Sequence, residues 1–491
     1  MSNYKHYVST AFSETRACQD INSPQSKART QGAYKPFGPE IPSQHGGYPT
    51  TDAAMDALAR LADSLRDNNP DIKLSVSSDQ MRKFTMEVFG MCLPEMAGEP
   101  DQTKHWKILR PLLLEQARSA GQNLTHYIPV WLFIGQESRQ FAIGPVLFVN
   151  RNDWLDEVAR RHGKLSSWIT TVRRLWAGEK FSEGSRRAGL ASVWKLVMKG
   201  KLRPAALRDG YRHAVRFSEP RHVSNGRTVA RIFHPDHWTA CARIEGFEPL
   251  ESRRRGLLAT QVALDTIRLA LPRPSRGLIS TVVDATLPVA IDRLSQVDGR
   301  DVAHGSRINR RGVSGSPGLA QAILDGSEDL FEAAGACIAG AASIHNGHAC
   351  PTLAERWLNA VHWFGRACLA DVDFVAVVML VIALDVLSGG LQEKGILELT
   401  ARLTDIGVSQ VVLSDGTTLQ KLVAHSYALR SEVAHGSILA VHRQMDSERG
   451  RLEDLAAAAL DQYVVALHKY ANAGGLDDRD RFLASLPAAK P

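Results

Sequence analysis

From Thr51 onward Met55, Leu58, Leu61 and Leu65 recur at helical spacing, with Thr51 or Asp52 placed to cap the first turn, and this pattern predicts an amphipathic helix. A second helix is predicted over 106–117. Two short runs rich in aromatic and β-branched residues come next, YIPVWLFIG (127–135) and FAIGPVLFV (141–149), separated by QESRQ, and together they predict a hairpin. Helices are predicted over 153–159, 166–176, 192–199 and 253–271, and strands at RTVARIF and WTACARIEGF. The Gly/Ser-rich stretch GSRINRRGVSGSPG (305–318) reads as a loop.

Beyond Pro351 the pattern is almost entirely helical. Thr352 opens a helix carrying Leu353, Trp357, Ala360, Val361 and Phe364, and an apolar helix over 373–388 ends at Gly389 and Gly390. A third carries Leu397, Leu399, Leu403 and Ile406 and ends at Gly407. A fourth spans 417–434 and stops near Gly436, and a last one spans 448–471 with Leu452, Leu455, Leu460, Val464 and Leu467. Helices joined by such short connections make a bundle. The fold class is therefore α+β: a mixed α/β N-terminal region followed by an all-α bundle. The expected division is a flexible polar arm over 1–50, an α+β region over 51–335, the bundle over 340–472 and a tail over 473–491.

Composition narrows the function classes. The 491 residues are 44% hydrophobic and 23% charged, the mixture of a soluble globular protein. The N-terminus has no apolar core of a secretory signal, and the longest apolar run, 374–387, is shorter than the roughly 20 residues a bilayer requires and contains Asp385, so no membrane segment is expected. Six cysteines without a CxxC pair suit a reducing, cytoplasmic setting. The formal charge of +7 is unevenly spread: 151–311 carries +15 and the remainder −8. Within that basic middle Lys199, Lys201, Arg203, Arg208 and Arg212 alternate with Trp194, Tyr211 and Phe217, a composition that neutralises phosphates and stacks bases, and equally one that a solvated basic face can have.

The most informative segment is TTLQKLVAHSYALRSEVAHG, 417–436. Its helical stripe reads Leu419, Val423, Tyr427, Arg430, Ala434, which sets a guanidinium in line with core positions, where it needs a carboxylate or an anion. Asp385, the only charged residue in 374–387, is the expected partner. His435 follows Arg430 by five positions and Gly436 breaks the helix beside it, leaving an imidazole at a rim, where titration near neutrality suits proton transfer. The Arg-x4-His spacing carries no weight alone, since Arg208 and His213 repeat it in a loop-like stretch. Two His/Cys groups, His345–His348–Cys350 and His234–His237–Cys241, each supply three candidate zinc ligands without a fourth, so no metal or other cofactor is expected. No phosphate loop, dinucleotide fingerprint or GxSxG is present.

Context distinguishes the 417–436 segment. Residues 352–467, about a quarter of the chain, resemble an Apea-like HEPN domain. Tyr427, Arg430, Ser431, His435 and Gly436 match its Tyr-x-x-Arg-Ser-x-x-x-His-Gly segment, and Ala383, Leu384 and Asp385 match an Ala-Leu-acidic segment on an earlier helix. The resemblance implies metal-independent endoribonuclease activity, in a defence or toxin role, at a site composed across a homodimer formed through the bundle. His435 would be general acid/base, Arg430 would hold the scissile phosphate, Ser431 would complete the catalytic set, and Tyr427, Asp385 and Gly436 would support them. Ser431 stands where Asn, Asp or His is common in active members. The alternative within the same resemblance is a non-catalytic dimerisation and nucleic-acid-binding module.

Overall fold

A computed structural model describes residues 2–19, 39–43, 46–134, 139–150, 153–154, 232, 238–283, 290–297, 300–308, 312–316, 318–436 and 444–488. In chain order the elements are α1 (Ser2–Gln19), β1 (Glu40–Ser43), β2 (Gly46–Pro49), α2 (Asp52–Asp67), α3 (Pro70–Ser75), α4 (Ser78–Gly98), α5 (His105–Ser119) and β3 (Gln122–Trp131). They continue with β4 (Phe141–Ile143), β5 (Val146–Val149), β6 (Trp238–Phe247), α6 (Pro249–Ala270), α7 (Arg273–Arg276), β7 (Ser280–Thr281), β8 (Ala290–Val297) and β9 (Arg300–Ile308). The helical remainder is α8 (Leu319–Asp325), α9 (Glu328–Ala342), α10 (Pro351–Cys368), α11 (Asp373–Ser388), α12 (Gln392–Thr404), α13 (Leu419–Ala434), α14 (Asp446–Asn472) and α15 (Arg479–Ser485). The expected class holds: a mixed N-terminal region with sheets, then a largely helical C-terminal region. The chain divides into two compact units, Met1–His126 with Arg243–Ala259 and Ala339–His348, and Tyr127–Ala242 with Thr260–Ile338 and Ala349–Pro491.

In the first unit, α2 starts where Thr51 Oγ1 accepts from the Ala54 amide, and it buries Ala54, Leu58, Leu61 and Leu65. Within 1–50 the structure departs from the expected flexible arm. Residues 2–19 form α1, whose Val8, Ala11, Phe12, Thr15 and Cys18 are buried in one stripe, and Tyr4 stacks on Trp106 with ring centroids 5.1 Å apart. The polar composition of α1 masks a helical period that only its packing partners reveal. The β1–β2 hairpin seals the same core with a fully buried Ile41, and Gly90 of α4 makes room for it, since a Cβ there would overlap the Pro42 carbonyl. Glu248 is fully buried, yet its carboxylate is answered: Oε1 accepts from Ser77 Oγ at 2.7 Å and from the Glu251 amide at 2.7 Å, and Oε2 from the Leu250 amide at 2.7 Å. One carboxylate thus caps α6 and ties down the residue that caps α4.

The five-stranded sheet has the order β4-β5-β6-β3-β7. The expected hairpin between 127–135 and 141–149 is not formed. Phe141–Val149 is itself a hairpin, turned by Gly144 at φ +56°, and β6 stands between β5 and β3. Gly144 gives little turn signal in the sequence because aromatic and branched residues flank it closely. Phe133, Phe141, Phe148, Trp238 and Phe331 cluster on this sheet, and Trp238 Nε1 donates to the Phe133 carbonyl at 2.9 Å. WTACARIEGF is a strand as expected, whereas 300–308, entered by the expected loop, belongs to the β8–β9 hairpin. The expected helices over 153–159, 166–176 and 192–199 and the RTVARIF strand fall almost wholly outside the described residues.

Helix α11 forms the centre of the bundle, packed by α10, α12, α13 and α14. Trp357 and Phe364 of α10 and Tyr463 of α14 are fully buried, and Trp357 Nε1 donates to the Leu460 carbonyl at 3.0 Å. Helix α12 stops at Thr404, before Gly407, because Asp405 takes the left-handed conformation at φ +54°. The expected tail over 473–491 contains α15, capped by Asp478, whose Phe482 packs edge-on to Tyr463 and Tyr470 at 5.0 and 5.4 Å. All six cysteines are buried thiols outside any disulfide. Among the described residues no single helix is long and apolar enough to cross a membrane.

Two outcomes test the packing of the first unit. Glu248→Ala strands buried donors at two helix starts and is expected to cost about 3 kcal/mol in urea unfolding. His126, whose Nε2 lies 2.8 Å from the buried Ser252 Oγ, has its pKa pulled below the usual histidine value by burial and by neighbouring Arg253. A lowered folded-state pKa means the group stabilises the fold above its unfolded value of about 6.5 and loses that contribution as pH falls. The unfolding midpoint is therefore expected to drop on acidification below about pH 6.5, and His126→Gln to flatten that slope.

Candidate functional site

Helix α13 begins at Thr418, whose hydroxyl accepts from the Lys421 amide at 3.3 Å. Its buried positions are Leu419, Leu422, Val423, Ser426 and Leu429. This corrects the expected stripe: past Val423 the core contact passes to Ser426 and Leu429, so Tyr427 and Arg430 are half-buried at the edge and Ala434 is exposed. Ser426 tolerates the core because its hydroxyl donates to the Leu422 carbonyl at 2.7 Å.

Arg430 is consequently not the buried cation that needs a carboxylate. Its guanidinium carbon lies 5.9 Å from the centre of the Tyr427 ring, and no ion pair joins it to Asp385. Asp385 is occupied elsewhere, with Oδ1 accepting from the Gln392 amide at 2.9 Å and so capping α12, and its carbonyl accepting from the Gly390 amide at 2.8 Å. The expected Arg430–Asp385 contact does not form because the turn after α11 claims the carboxylate first.

His435 closes α13 as its C-cap, and its amide donates to the Ser431 carbonyl at 2.9 Å. Gly436 comes next at φ +69°, a conformation that L side chains rarely adopt, and the His435 side chain is exposed. Tyr427, Ser431 and His435 succeed one another at four-residue intervals on one side of the helix. Arg430 flanks that row, about 140° around the axis from His435. His435 and Ser431 therefore stand on the accessible side of the helix, and Arg430, in line with Val423 and Ser426, is half-buried toward the core side.

The basic residues Lys199, Lys201, Arg203, Arg208 and Arg212 lie outside the described residues, as do His234 and His237. Among the described residues no three His, Cys, Asp or Glu side chains are grouped to hold a metal ion, and Cys350 is instead buried with its thiol 3.5 Å from the Gly475 carbonyl. No family model, curated protein or solved structure matches the chain. One polar constellation lies beyond the sequence expectations, a buried pair of Asp265 and Arg268 with His362 beside it. Its sequence signal is an acid and a base three positions apart inside the otherwise apolar VALDTIRLA of α6.

The assignment of Asp385 to capping is testable by a double-mutant cycle. Asp385→Ala is expected to cost about 1 kcal/mol in urea unfolding as a lost helix cap. Combining it with Arg430→Gln is expected to add no coupling beyond about 0.3 kcal/mol, the value for sites without a shared partner.

Proposed function

We propose that the chain is a metal-independent endoribonuclease of HEPN type that acts as a homodimer through its bundle. The observation that carries this reading is an exposed imidazole at a glycine-broken helix end, five positions after a half-buried arginine that no carboxylate engages among the described residues. In one copy the two groups diverge around α13, so two copies placed side to side give the arrangement in which each linkage meets cation and imidazole together.

The chemistry follows from the residue types. His435 removes the proton of a ribose 2′-OH as it attacks phosphorus, and the imidazolium of the second copy protonates the departing 5′-oxygen. Arg430 binds the non-bridging oxygens and stabilises the charge that accumulates on them in the transition state. Ser431 offers one hydroxyl hydrogen bond to the same oxygens. Tyr427 holds the guanidinium by its ring face and presents its exposed edge to a base. The products carry a 2′,3′-cyclic phosphate and a 5′-hydroxyl. The strongly basic middle of the chain supports RNA as substrate.

With RNA in chelator-containing buffer, the protein is expected to yield cyclic-phosphate ends. His435→Ala and Arg430→Ala are each expected to slow cleavage by about 100-fold or more, with thermal unfolding little changed since neither side chain lies in the core. Cleavage at the wild-type rate in both variants removes the proposal. Salt-sensitive RNA binding with no cyclic-phosphate product at any protein concentration replaces it with the non-catalytic binding module.

A further inference from the structure

The first stretch of α6, Pro249 to Leu258, belongs to the first unit, and its two sides differ in chemistry. The inner side is packed and answered. Glu251 and Ser252 are buried, His126 Nε2 lies 2.8 Å from Ser252 Oγ, and a Cβ on Gly256 would crowd the His126 ring. None of these residues belongs to α13, so the stretch stands independently of the ribonuclease reading.

The outer side is apolar and basic. Leu250, Leu257 and Leu258 are between 39% and 48% exposed. The helical period sets Arg253 between Leu250 and Leu257 on one ridge, and Arg254 between Leu250 and Leu258 on the next. The patch continues onto α3, whose Ser75 carbonyl accepts from the Glu248 amide at 3.0 Å just ahead of α6, and whose Leu74 is 50% exposed. A leucine exposed singly needs no explanation, but leucines ranked along one helix face beside a fourth mark a contact surface.

The charge on this side has one sign. Glu251 is the only acid in the stretch, it is buried, and it already serves two arginines, Arg254 at 2.6 Å and Arg255 at 2.8 Å. Arg254 is still 67% exposed. Arg253 is exposed and forms no ion pair among the described residues.

We propose that this face docks an acidic amphipathic helix of a partner protein. The two ridges offer apolar anchors two turns apart, and a helix that carries carboxylates beside its own apolar stripe meets Arg253 and Arg254 where they stand. A second copy of the chain fits less well, because a two-fold contact through this face brings arginines against arginines. An anionic lipid surface fits less well too. The arginines stand among the leucines, so inserting the leucines would draw guanidiniums toward the acyl chains.

Fluorescence anisotropy of a fluorescein-labelled peptide built from Leu-Glu-Glu-Leu-Leu-Glu-Glu heptads, titrated with the full-length chain, tests the face. Saturable binding is expected at one peptide per chain, and the same peptide with Lys in place of Glu is expected not to bind. Arg253→Glu and Leu257→Ser are each expected to weaken binding about tenfold. Leu112→Ser, at a similarly exposed leucine of α5, is expected to leave it unchanged. Absence of saturable binding overturns the proposal, as does equal binding of the Lys peptide or wild-type affinity in both Arg253→Glu and Leu257→Ser. Vesicles of phosphatidylcholine and phosphatidylglycerol that sediment the chain while the peptide stays free overturn it in favour of a lipid surface. Self-association that Leu257→Ser abolishes overturns it in favour of a second copy. Should Leu257→Ser fail to fold, the charge variant Arg253→Glu decides alone.

Discussion

Helix α11 has scarcely any polar side to give to water, and the arrangement of the bundle follows from that. Its residues from Phe374 to Leu387 are apolar but for Asp385, so the helix is stable only when neighbours enclose it, and α10, α12, α13 and α14 do so. Each neighbour must then present an apolar stripe inward. For α13 that stripe is Leu419, Leu422, Val423, Ser426 and Leu429. Once those positions are fixed by packing, the helical period leaves Ser431 and His435 on the outer side and Tyr427 at its edge, while Arg430, in line with Val423 and Ser426, is half-buried. The exposure of His435 is thus a consequence of core geometry and costs the core nothing.

Buried charge in this protein is of two kinds. Glu248 and the Arg268–Asp265 and Arg276–Glu453 pairs are surrounded by partners, and they hold elements in place at little net gain, since desolvation offsets most of the attraction. The His362 ring is different: it is about a third exposed, and its buried Nδ1 makes no hydrogen bond among the described residues, lying 3.6 Å from Asp265 Oδ2.

Legibility from the sequence tracks how local the determining interaction is. The bundle helices are readable because glycines at 389 and 390 and a threonine cap at 418 act within a few residues, as does the cap at Thr51. Helix α1 is not, because its small and polar residues become a stripe only against α2 and α5. The 141–149 run reads as one arm of a longer hairpin because strand partners are chosen at long range: β6, nearly a hundred residues later, inserts beside β5. For the same reason the order Tyr427, Arg430, Ser431, His435 can be read, but the partner of Asp385 cannot.

By itself the sequence determined the helical half, its breaks and the uneven charge, and it singled out the candidate residues of α13, since these depend on side-chain chemistry and on a period of a few residues. Only the tertiary structure decided which side of α13 faces the core, that Asp385 caps α12 in place of pairing with Arg430, and that Asp265 and Arg268 form a buried pair with His362 beside it. Those outcomes depend on which surfaces compete successfully for burial, and that competition is settled among residues far apart in the chain.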